Sequence, residues 1–454
     1  MQLNVVGAGL VGPLLSLFLA RRGYTVRLLE GRADPRVQRD SRGRSINLTL
    51  ATRGWKALSA LGLAEQVRAL SVPLYGRRIH HEDGTTSFQP YGQRGEEISS
   101  IRRADLNAVV LDAAEAAAGV DIAFGQRCKR IDVDRNEMEL EDAAGVRRIE
   151  RAQPMLACDG AFSIAHSVRR APNERPVFEV TREVAAIGYK ELRIPYTPGV
   201  FEHNALHLWP RGRHVLIGFP NVDGSLSGSL FLPHEGEFPS FATLQTPDDV
   251  RRLFERDFAD VLPHMPEVYD DFFANPTGKL HSVRVSPWRV DGKLLLIGDS
   301  AHAMVPFLGQ GLNCGFEDCV TLAACFDRHP RGDWRAIFGE FEQRRKQDCD
   351  AVTELALRHY LELSEWVRDP QFLWRKSIEQ RLYRDYAGRL MPLYSMITFT
   401  DLPYREVHEH ARRMDAVVDE LAGIDQLEAR WDTPAVRQTI DGLLKSLGAL
   451  TSAA

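Results

Sequence analysis

The sequence predicts an α/β protein in three parts: a parallel-sheet layer, an inserted antiparallel sheet and a helical C-terminal region. The first thirty residues follow the order strand, glycine-rich turn, helix, strand. Residues 176–284 alternate apolar and polar side chains between Pro and Gly clusters, which is typical of antiparallel strands. From Trp334 onward, apolar residues recur at a spacing of three to four, which is typical of helices.

The glycine-rich turn near the N-terminus carries the pattern G-x-G-x-x-G at Gly7, Gly9 and Gly12. In such a turn the first glycine permits the tight bend, the second lets a pyrophosphate approach the backbone, and the third allows close helix packing. The following strand ends in Glu30, at the distance where an acid binds the adenosine ribose hydroxyls. Together these features predict a Rossmann-like dinucleotide-binding site.

Two later segments each end an apolar run on a turn that contains an acid. One run leads into Asp159 and Gly160, and the other leads into Gly298 and Asp299. An acid at the end of a buried strand can present its carboxylate to a ribose or ribitol hydroxyl. We therefore expect Asp159 and Asp299 to bind the cofactor.

A glycine-rich bend follows Asp299 and leads into a helix predicted over about 314–325. Such a bend directs main-chain N–H groups and a helix N-terminus at a ligand, which favours negative charge. A reduced flavin carries its negative charge on the N1/C2 carbonyl edge, so the bend suits a flavin. We expect Gly311, Leu312 and Asn313 to bind the cofactor, and Pro306, Phe307, Gly309 and Gln310 to line its reacting face.

These three elements, at residues 7–30, 156–170 and 294–315, recur in the same order in the flavin-dependent aromatic monooxygenases, which this chain resembles. Four further segments are similar to the kynurenine 3-monooxygenase family. They are residues 43–48, 88–92, 205–212 and 392–399. The resemblance runs from the first residue to about residue 415, and several of its segments lie in the expected substrate half.

The resemblance implies an enzyme with bound FAD that takes electrons from NADPH transiently and consumes O2. It implies conversion of L-kynurenine to 3-hydroxykynurenine through a flavin C4a-hydroperoxide, so that the cofactor carries the hard chemical step. Kynurenine's own amino group donates electrons to the ortho position, and no catalytic base is expected. Arg44 and Arg103 are expected to help bind the cofactor, Arg103 through its phosphates.

The resemblance also implies a carboxylate-binding pair, Arg77 and Tyr91, with Tyr394 closing over the substrate head group. A guanidinium and a phenol suit a carboxylate chemically. Arg78 is the rival to Arg77 and is rejected because its register to Tyr91 does not fit. Leu216, Phe231 and Phe307 are expected to wall the aromatic pocket, although plain core packing explains each of them equally well.

One position departs from the family pattern. His359, in the run His359–Leu363, stands where the family has an asparagine that reads the amino-acid end of the substrate. A histidine can still donate a hydrogen bond to a carboxylate. The alternatives are therefore a kynurenine hydroxylase with a tolerated change, or a relative that acts on a modified kynurenine or another anthraniloyl or aryl acid. A flavin reductase without oxygen chemistry and a flavin redox sensor are less favoured.

The resulting division of the chain is discontinuous. We expect an FAD-binding domain from 1–70, 95–175 and 285–330, a substrate-binding β-sheet domain from 71–94 and 176–284, and a helical region from 331–454.

Composition excludes some classes of binding partner and indicates the cellular compartment. A net charge of −5 argues against a general nucleic-acid binder. Six cysteines without C-x-x-C spacing indicate reduced thiols, and no metal site is expected. We expect no signal peptide, no membrane-spanning segment and no C-terminal anchor of the kind that the resemblance associates with eukaryotic members of the family. We expect a cytoplasmic monomer or homodimer.

Overall fold

The computed structural model describes residues 1–37, 47–92, 95–152, 154–170, 174–364 and 369–447. Arg44, one of the expected cofactor contacts, lies outside the described residues.

The described strands alternate with helices in the first third of the chain and cluster between residues 179 and 296. They are β1 Gln2–Val6, β2 Thr25–Glu30, β3 Asn47–Leu50, β4 Ser71–Leu74, β5 Gly76–His80, β6 Thr86–Pro90, β7 Ile98–Arg102, β8 Val120–Phe124, β9 Arg127–Asp132, β10 Glu137–Glu141, β11 Arg147–Arg151, β12 Met155–Ala157, β13 Glu179–Ile194, β14 Ala205–Arg211, β15 His214–Pro220, β16 Leu226–Pro233, β17 Gly278–Ser286, β18 Arg289–Val290 and β19 Leu294–Leu296.

The described α-helices dominate the last third of the chain. They are α1 Val11–Ala20, α2 Thr52–Ala60, α3 Ala64–Arg68, α4 Arg103–Ala116, α5 Pro247–Asp257, α6 Val268–Ala274, α7 Asp299–His302, α8 Gly311–Arg328, α9 Trp334–Ser364, α10 Pro370–Asp385, α11 Leu393–Phe399, α12 Tyr404–Ala422, α13 Leu427–Arg430 and α14 Pro434–Ser446. Short 3-10 turns span Ile164–Ser167, Leu262–His264 and Pro306–Leu308. Helix α9 begins at Trp334, where the periodicity predicted a helix.

The nucleotide-binding sheet has six strands in the order β18-β19-β12-β1-β2-β8. Strands β19, β12, β1, β2 and β8 run parallel, and the edge strand β18 is antiparallel. Because the carboxyl ends of parallel strands meet at one edge, the turns that begin at Gly7, Cys158 and Gly298 all lie along that edge. The sheet thus brings together the three motifs that the sequence separates.

The second large sheet has seven strands in the order β17-β13-β16-β15-β14-β5-β6. Strands β5 and β6, from residues 76–90, join it as predicted. The pairing is antiparallel except for β14 with β5, which is parallel, so the expected purely antiparallel sheet is wrong at this pair. Strand β4 pairs with β7 instead, in a three-stranded sheet with β3.

The two faces of the seven-stranded sheet belong to different cores. One face packs against α5 and α6 in a cluster that includes Trp209, Leu230 and Phe254. The other face contributes Phe231 to the large core shared with the nucleotide-binding sheet. Helices α10, α12, α13 and α14 form a third, separate core. In the part of the chain that the structure describes, no helix is long and apolar enough to cross a membrane.

Candidate active site

The glycine-rich turn after β1 is shaped by two glycines that the protein's own backbone requires. Gly7 has a φ of 103°, and a Cβ there would lie 2.5 Å from the carbonyl oxygen of Cys158. A Cβ on Gly12 would lie 2.0 Å from the carbonyl oxygen of Gly7. At Gly9, by contrast, a Cβ would meet nothing within 4 Å. The open space beside Gly9 is a cradle that fits a pyrophosphate.

The acid at the end of β2 is fixed and charged. Glu30 is 7% exposed, and its Oε2 accepts a hydrogen bond of 2.9 Å from the main-chain N–H of Ala8. Its Oε1 accepts bonds of 2.9 Å from the main chain and the Nε of Arg32. Burial raises the pKa of Glu30, but these bonds outweigh burial and lower the pKa overall. Each oxygen keeps acceptor capacity for a ribose hydroxyl.

Helix α4 braces the same turn through a residue that the sequence analysis did not single out. The Nδ2 of Asn107 donates to the carbonyl oxygens of Ala8 and Gly9, at 3.3 and 3.1 Å. Arg103 begins α4 one turn earlier and is exposed. Its contact with a cofactor phosphate stays a prediction.

The two acid-containing turns differ in burial. Asp159 accepts a bond of 2.9 Å from the N–H of Ile164 through Oδ2, whereas its buried Oδ1 has no hydrogen-bond partner among the described residues. Burial raises the pKa of Asp159. A buried polar atom without a partner is costly, so a hydroxyl of a bound ligand fits this position. Asp299 is exposed at the start of α7, after Gly298, whose φ is 65°.

The bend before α8 is held by a side chain that we expected to touch the cofactor. The Oδ1 of Asn313 accepts from the N–H groups of Ala51 and Gly54, at 2.9 and 3.2 Å. Its Nδ2 donates to the carbonyl oxygens of Thr49 and Gly309, at 2.9 and 2.8 Å. The side chain of Asn313 is therefore fully occupied by the backbone, and only its main-chain N–H is left for a ligand.

Helix α8 begins at Gly311, three residues earlier than predicted, so the bend forms its first turn. The main-chain N–H groups of Gly311, Leu312 and Asn313 have no acceptor within the helix, as in any first turn. Gly309, with a φ of 64°, makes the preceding left-handed corner. N–H groups in this arrangement can bind an anion, which is what we expect of the flavin edge.

Gln310 was expected at the reacting face, and that expectation is wrong for its side chain. Gln310 is 2% exposed. Its Oε1 accepts a bond of 2.9 Å from the Tyr404 hydroxyl, and its Nε2 lies 3.3 Å from the carbonyl oxygen of Leu308. The side chain ties the bend to α12 because a buried amide must satisfy its polar atoms inside the protein.

Aromatic rings gather beside the bend. The Phe307 ring lies 5.5 Å from that of Phe231 and is stacked on Tyr360 of α9 at 5.2 Å. We call Phe231, Phe307 and Tyr360 the aromatic wall. Pro306, next to Phe307, is exposed. Two of the expected lining residues, Phe231 and Phe307, thus meet, and Tyr360 was missed.

Leu216 was expected to line the same pocket, but the structure contradicts this. Leu216 is fully buried in the outer core with Trp209 and Leu230, against α5 and α6. Successive residues of a strand face opposite sides, and Leu216 pairs with Leu230, not with Phe231. Its neighbour Ile217 faces inward and packs on the large core.

Arg77, Tyr91 and Tyr394 form what we call the Arg77 cluster. The guanidinium carbon lies 5.3 Å from the centre of each phenol ring, and the rings stack at 5.5 Å. The Tyr91 hydroxyl is buried without a hydrogen-bond partner among the described residues. Burial raises the pKa of both tyrosines, so both phenols stay neutral. Tyr394 also packs on the large core.

The charge of Arg77 has no acidic partner within salt-bridge distance in the described chain. The adjacent Arg78, the rival in the sequence, donates to Glu202 through its Nε at 3.0 Å. The small core around Tyr91 shares two residues, Ile217 and Tyr394, with the large core that holds the aromatic wall. These shared residues connect the Arg77 cluster to the apolar core that holds the aromatic wall. The charge of Arg77 leaves the cluster able to receive an anion.

His359 is not brought to this cluster. Its Nδ1 lies 3.8 Å from the Oε2 of Glu362, whose other partners include Lys376. Burial alone raises the pKa of Glu362, but the neighbouring His359 and the nearby cations lower it to about 2. Among the described residues, no hydrogen bond, ion pair or ring contact joins His359 to the Arg77 cluster, although the next residue, Tyr360, belongs to the aromatic wall.

Comparison with known proteins agrees with this geometry. The FAD binding domain family matches residues 1–354. Kynurenine 3-monooxygenase of Myxococcus xanthus is 41% identical over 424 residues, which cover 92% of this chain and 90% of that protein. This chain belongs to the kynurenine 3-monooxygenase family. The enzyme of the same name from Xanthomonas axonopodis pv. citri is 42% identical over 408 residues, 89% of this chain and 88% of that protein.

Solved structures agree on the fold. The tetrameric form of 2-methyl-3-hydroxypyridine-5-carboxylic acid oxygenase has a TM-score of 0.65 at 20% identity, covering 87% of this chain and 95% of its own. Klebsiella pneumoniae HpxO, complexed with FAD and uric acid, has a TM-score of 0.64 at 18% identity, covering 93% and 97%. The predicted α/β fold with a Rossmann-like FAD-binding part, and its flavin monooxygenase class, are confirmed.

Proposed function

We propose that this flavin monooxygenase hydroxylates L-kynurenine at ring position 3, with NADPH and O2 as co-substrates. The observation that carries the substrate assignment is the charge of Arg77, which has no acidic partner among the described residues and lies against the buried phenol of Tyr91. The aromatic wall supplies apolar rings from the core to which this cluster is connected. An aromatic amino acid with a free carboxylate matches both features.

The residues that would hold FAD lie along the carboxyl edge of the nucleotide-binding sheet. Gly9 would face the pyrophosphate, Glu30 the adenosine ribose, and Asp159 or Asp299 a ribitol or ribose hydroxyl. The first-turn N–H groups of α8, beginning at Gly311, would face the flavin edge. When bound, FAD supplies electron transfer from NADPH and the activation of O2. The protein supplies position, charge and exclusion of water.

The substrate's carboxylate would be bound by the guanidinium of Arg77, which donates in a planar fork. The neutral phenols of Tyr91 and Tyr394 would donate to the same carboxylate or to the α-amino end. The ring would then pack against Phe231 and Phe307, away from water. No base is needed, because the ring's own amino group already makes the ortho carbon nucleophilic.

His359 supports kynurenine itself in preference to a modified analogue. Its Nδ1 lies 3.8 Å from Glu362 on the same helix, and no hydrogen bond or ion pair among the described residues takes it to the Arg77 cluster. We therefore assign it no role in selecting the substrate. His359→Asn should leave the KM for kynurenine nearly unchanged. A large fall in KM would instead mean that the histidine hinders binding and that another substrate is natural.

The test compares L-kynurenine with its decarboxylated amine, which keeps the ring and loses only the carboxylate. NADPH oxidation by the FAD-loaded protein should be stimulated by kynurenine far more than by the amine. Equal stimulation would mean that the carboxylate is not recognised. Stimulation by neither compound would remove kynurenine as the substrate and leave the aromatic specificity open.

We also propose a cytoplasmic location. All six cysteines are free thiols, which supports a reducing compartment.

A further inference from the structure

Two thiols face each other near the glycine-rich bend that leads into α8. The Sγ atoms of Cys314 on α8 and Cys349 on α9 lie 3.5 Å apart, and neither residue is exposed. Cys314 is the fourth residue of α8, three positions after Gly311. A disulfide bond is about 2.05 Å long, so the sulfur atoms need to approach by only about 1.5 Å.

The surroundings make the two thiols unequal. The Nη2 of Arg345 lies 3.3 Å from the Cys314 sulfur, and the Nδ1 of His302 lies 4.0 Å from it. Both cationic groups are anchored by Asp318, at 2.7 Å to Arg345 and 2.6 Å to His302. The hydrogen bond from Cys349 lowers the pKa of Cys314, burial opposes it, and the nearby cations add to the lowering. Burial raises the pKa of Cys349.

The same cluster resembles a metal site in its composition but not in its charge. Ligand-type atoms of His302, Cys314, Asp318 and Cys349 lie within 4.8 Å of one another. However, the buried guanidinium of Arg345 already bridges Asp318 and Cys314. A fixed positive charge in this position opposes a divalent cation and instead stabilises a thiolate. The cluster is therefore suited to thiol chemistry.

We propose that Cys314 and Cys349 form a reversible disulfide when the protein meets hydrogen peroxide. The Cys314 thiolate attacks one peroxide oxygen, the O–O bond breaks, and a sulfenic acid and hydroxide form. The sulfur of Cys349 then attacks the Cys314 sulfur, the S–O bond breaks, and the Cys349 proton is taken up as water forms. One thiolate, one thiol and one peroxide thus give the disulfide, water and hydroxide.

The proposal rests on the flavin monooxygenase class only for the source of the oxidant. Such an enzyme produces hydrogen peroxide beside α8 whenever O2 is reduced without hydroxylation. Small size lets peroxide reach a thiol that larger reagents cannot. The disulfide would link α8, which carries the first-turn N–H groups, to α9, which carries Tyr360. It would also remove the Cys314 thiolate that Arg345 and His302 would stabilise beside Asp318. We expect the oxidised protein to release FAD more readily.

The experiment treats FAD-loaded protein with hydrogen peroxide, alkylates the remaining thiols and maps peptides without reduction. We expect one cross-linked peptide pair containing Cys314 and Cys349, lighter by two hydrogens and restored by dithiothreitol. Loss of the Cys314 thiol should be at least about tenfold faster than loss of Cys319, a buried cysteine whose pKa burial raises. Flavin fluorescence released on oxidation reports the effect on FAD.

Two variants make the test specific. In Cys349→Ala, the sulfenic acid at Cys314 has no thiol partner and should be trapped when the oxidised protein is unfolded in the presence of a 1,3-diketone reagent. Cys319→Ala is the matched control and should form the disulfide like the parent. The proposal would be overturned if Cys314 and Cys349 both remained free thiols at a peroxide dose that oxidises the exposed Met391. So would stoichiometric zinc in the purified protein that shields both thiols. Neither result depends on whether kynurenine is hydroxylated.

Discussion

Replacing Arg77 by methionine removes the positive charge of the Arg77 cluster and keeps most of the apolar stem. In the described chain no carboxylate pairs with Arg77, so the substitution breaks no salt bridge of the protein itself. The substitution removes the partner of the substrate's carboxylate. The carboxylate then has to lose its water with only two phenols to replace it. We expect binding to suffer and folding to be little affected.

The size of the effect follows from the charge and its environment. Removing one member of a hydrogen-bonded charge pair at a binding site costs about 2–5 kcal/mol. At about 1.4 kcal/mol per factor of ten, that is a loss in kcat/KM of about 30-fold to several thousand-fold. We expect the lower part of this range, about 100-fold, because Arg77 is half-buried and the hydroxyls of Tyr91 and Tyr394 remain.

The assay is kynurenine-dependent NADPH oxidation, with substrate binding followed through the flavin absorbance. Arg78→Met is the matched control: it removes a surface ion pair with Glu202, of a kind worth about 0–1 kcal/mol, and should change kcat/KM by less than about fivefold. The decarboxylated amine should be used equally by parent and Arg77→Met. If Arg77→Met keeps the parent's KM for kynurenine, or loses activity on the amine to the same degree, the carboxylate assignment is wrong.

Three further predictions concern other parts of the chain. Gly9→Ala should weaken FAD binding and leave the unfolding free energy of the apoprotein within about 0.5 kcal/mol of the parent. Gly12→Ala should also destabilise the apoprotein, by about 1–3 kcal/mol. FAD titration measures the loss of binding, and urea unfolding of the apoprotein measures the loss of stability. Leu216→Ala should cost about 2–5 kcal/mol in urea unfolding without changing the KM for kynurenine, and a raised KM would return Leu216 to the pocket. Glu362, whose pKa is lowered to about 2, stabilises the fold above its unfolded pKa near 4.5 and loses that contribution as the pH falls toward 2. Glu362→Gln should therefore be less stable than the parent by up to about 3 kcal/mol at pH 7 and match it near pH 2, and a difference independent of pH would contradict this.

Local sequence motifs were sufficient to predict the nucleotide-binding part of the fold. Gly7, Gly9, Gly12 and Glu30 lie in one strand–turn–helix–strand unit, so their relation follows from short-range geometry alone. The parallel order of the sheet then brings Asp159 to the same edge. The resemblance to a known family, not periodicity, identified the Arg77 cluster, since its members come from β5, the end of β6 and α11.

Side-chain direction was the part that the sequence did not determine. The alternating sequence pattern does not distinguish Leu216 from Phe231, but the register of β15 on β16 puts them on opposite faces of the sheet. Asn313 and Gln310 look like cofactor ligands in a glycine-rich bend, yet long-range partners from β3 and α12 satisfy them. Tyr360 was missed because the sequence around a tyrosine on a long helix does not indicate which loop, here that of Phe307, it will contact.

Register and long-range hydrogen bonds arise only when distant segments pack. Pairing of β15 with β16 would have been enough to correct Leu216, because residues directly opposite each other share a face. The thiol pair of Cys314 and Cys349 was likewise hidden, since the two cysteines lie on successive helices. Their spacing in the chain shows nothing until α8 and α9 pack against each other.

The most direct test of kynurenine hydroxylation follows the oxygen atom of O2 that this chain would insert into the ring. We would incubate the FAD-loaded protein with NADPH, L-kynurenine and ¹⁸O2 and determine the mass and ring position of the product. We expect a product with one heavy oxygen at the carbon ortho to the ring amino group, formed in step with NADPH oxidation. Unlabelled kynurenine recovered intact, with NADPH converted only to labelled hydrogen peroxide, would contradict it.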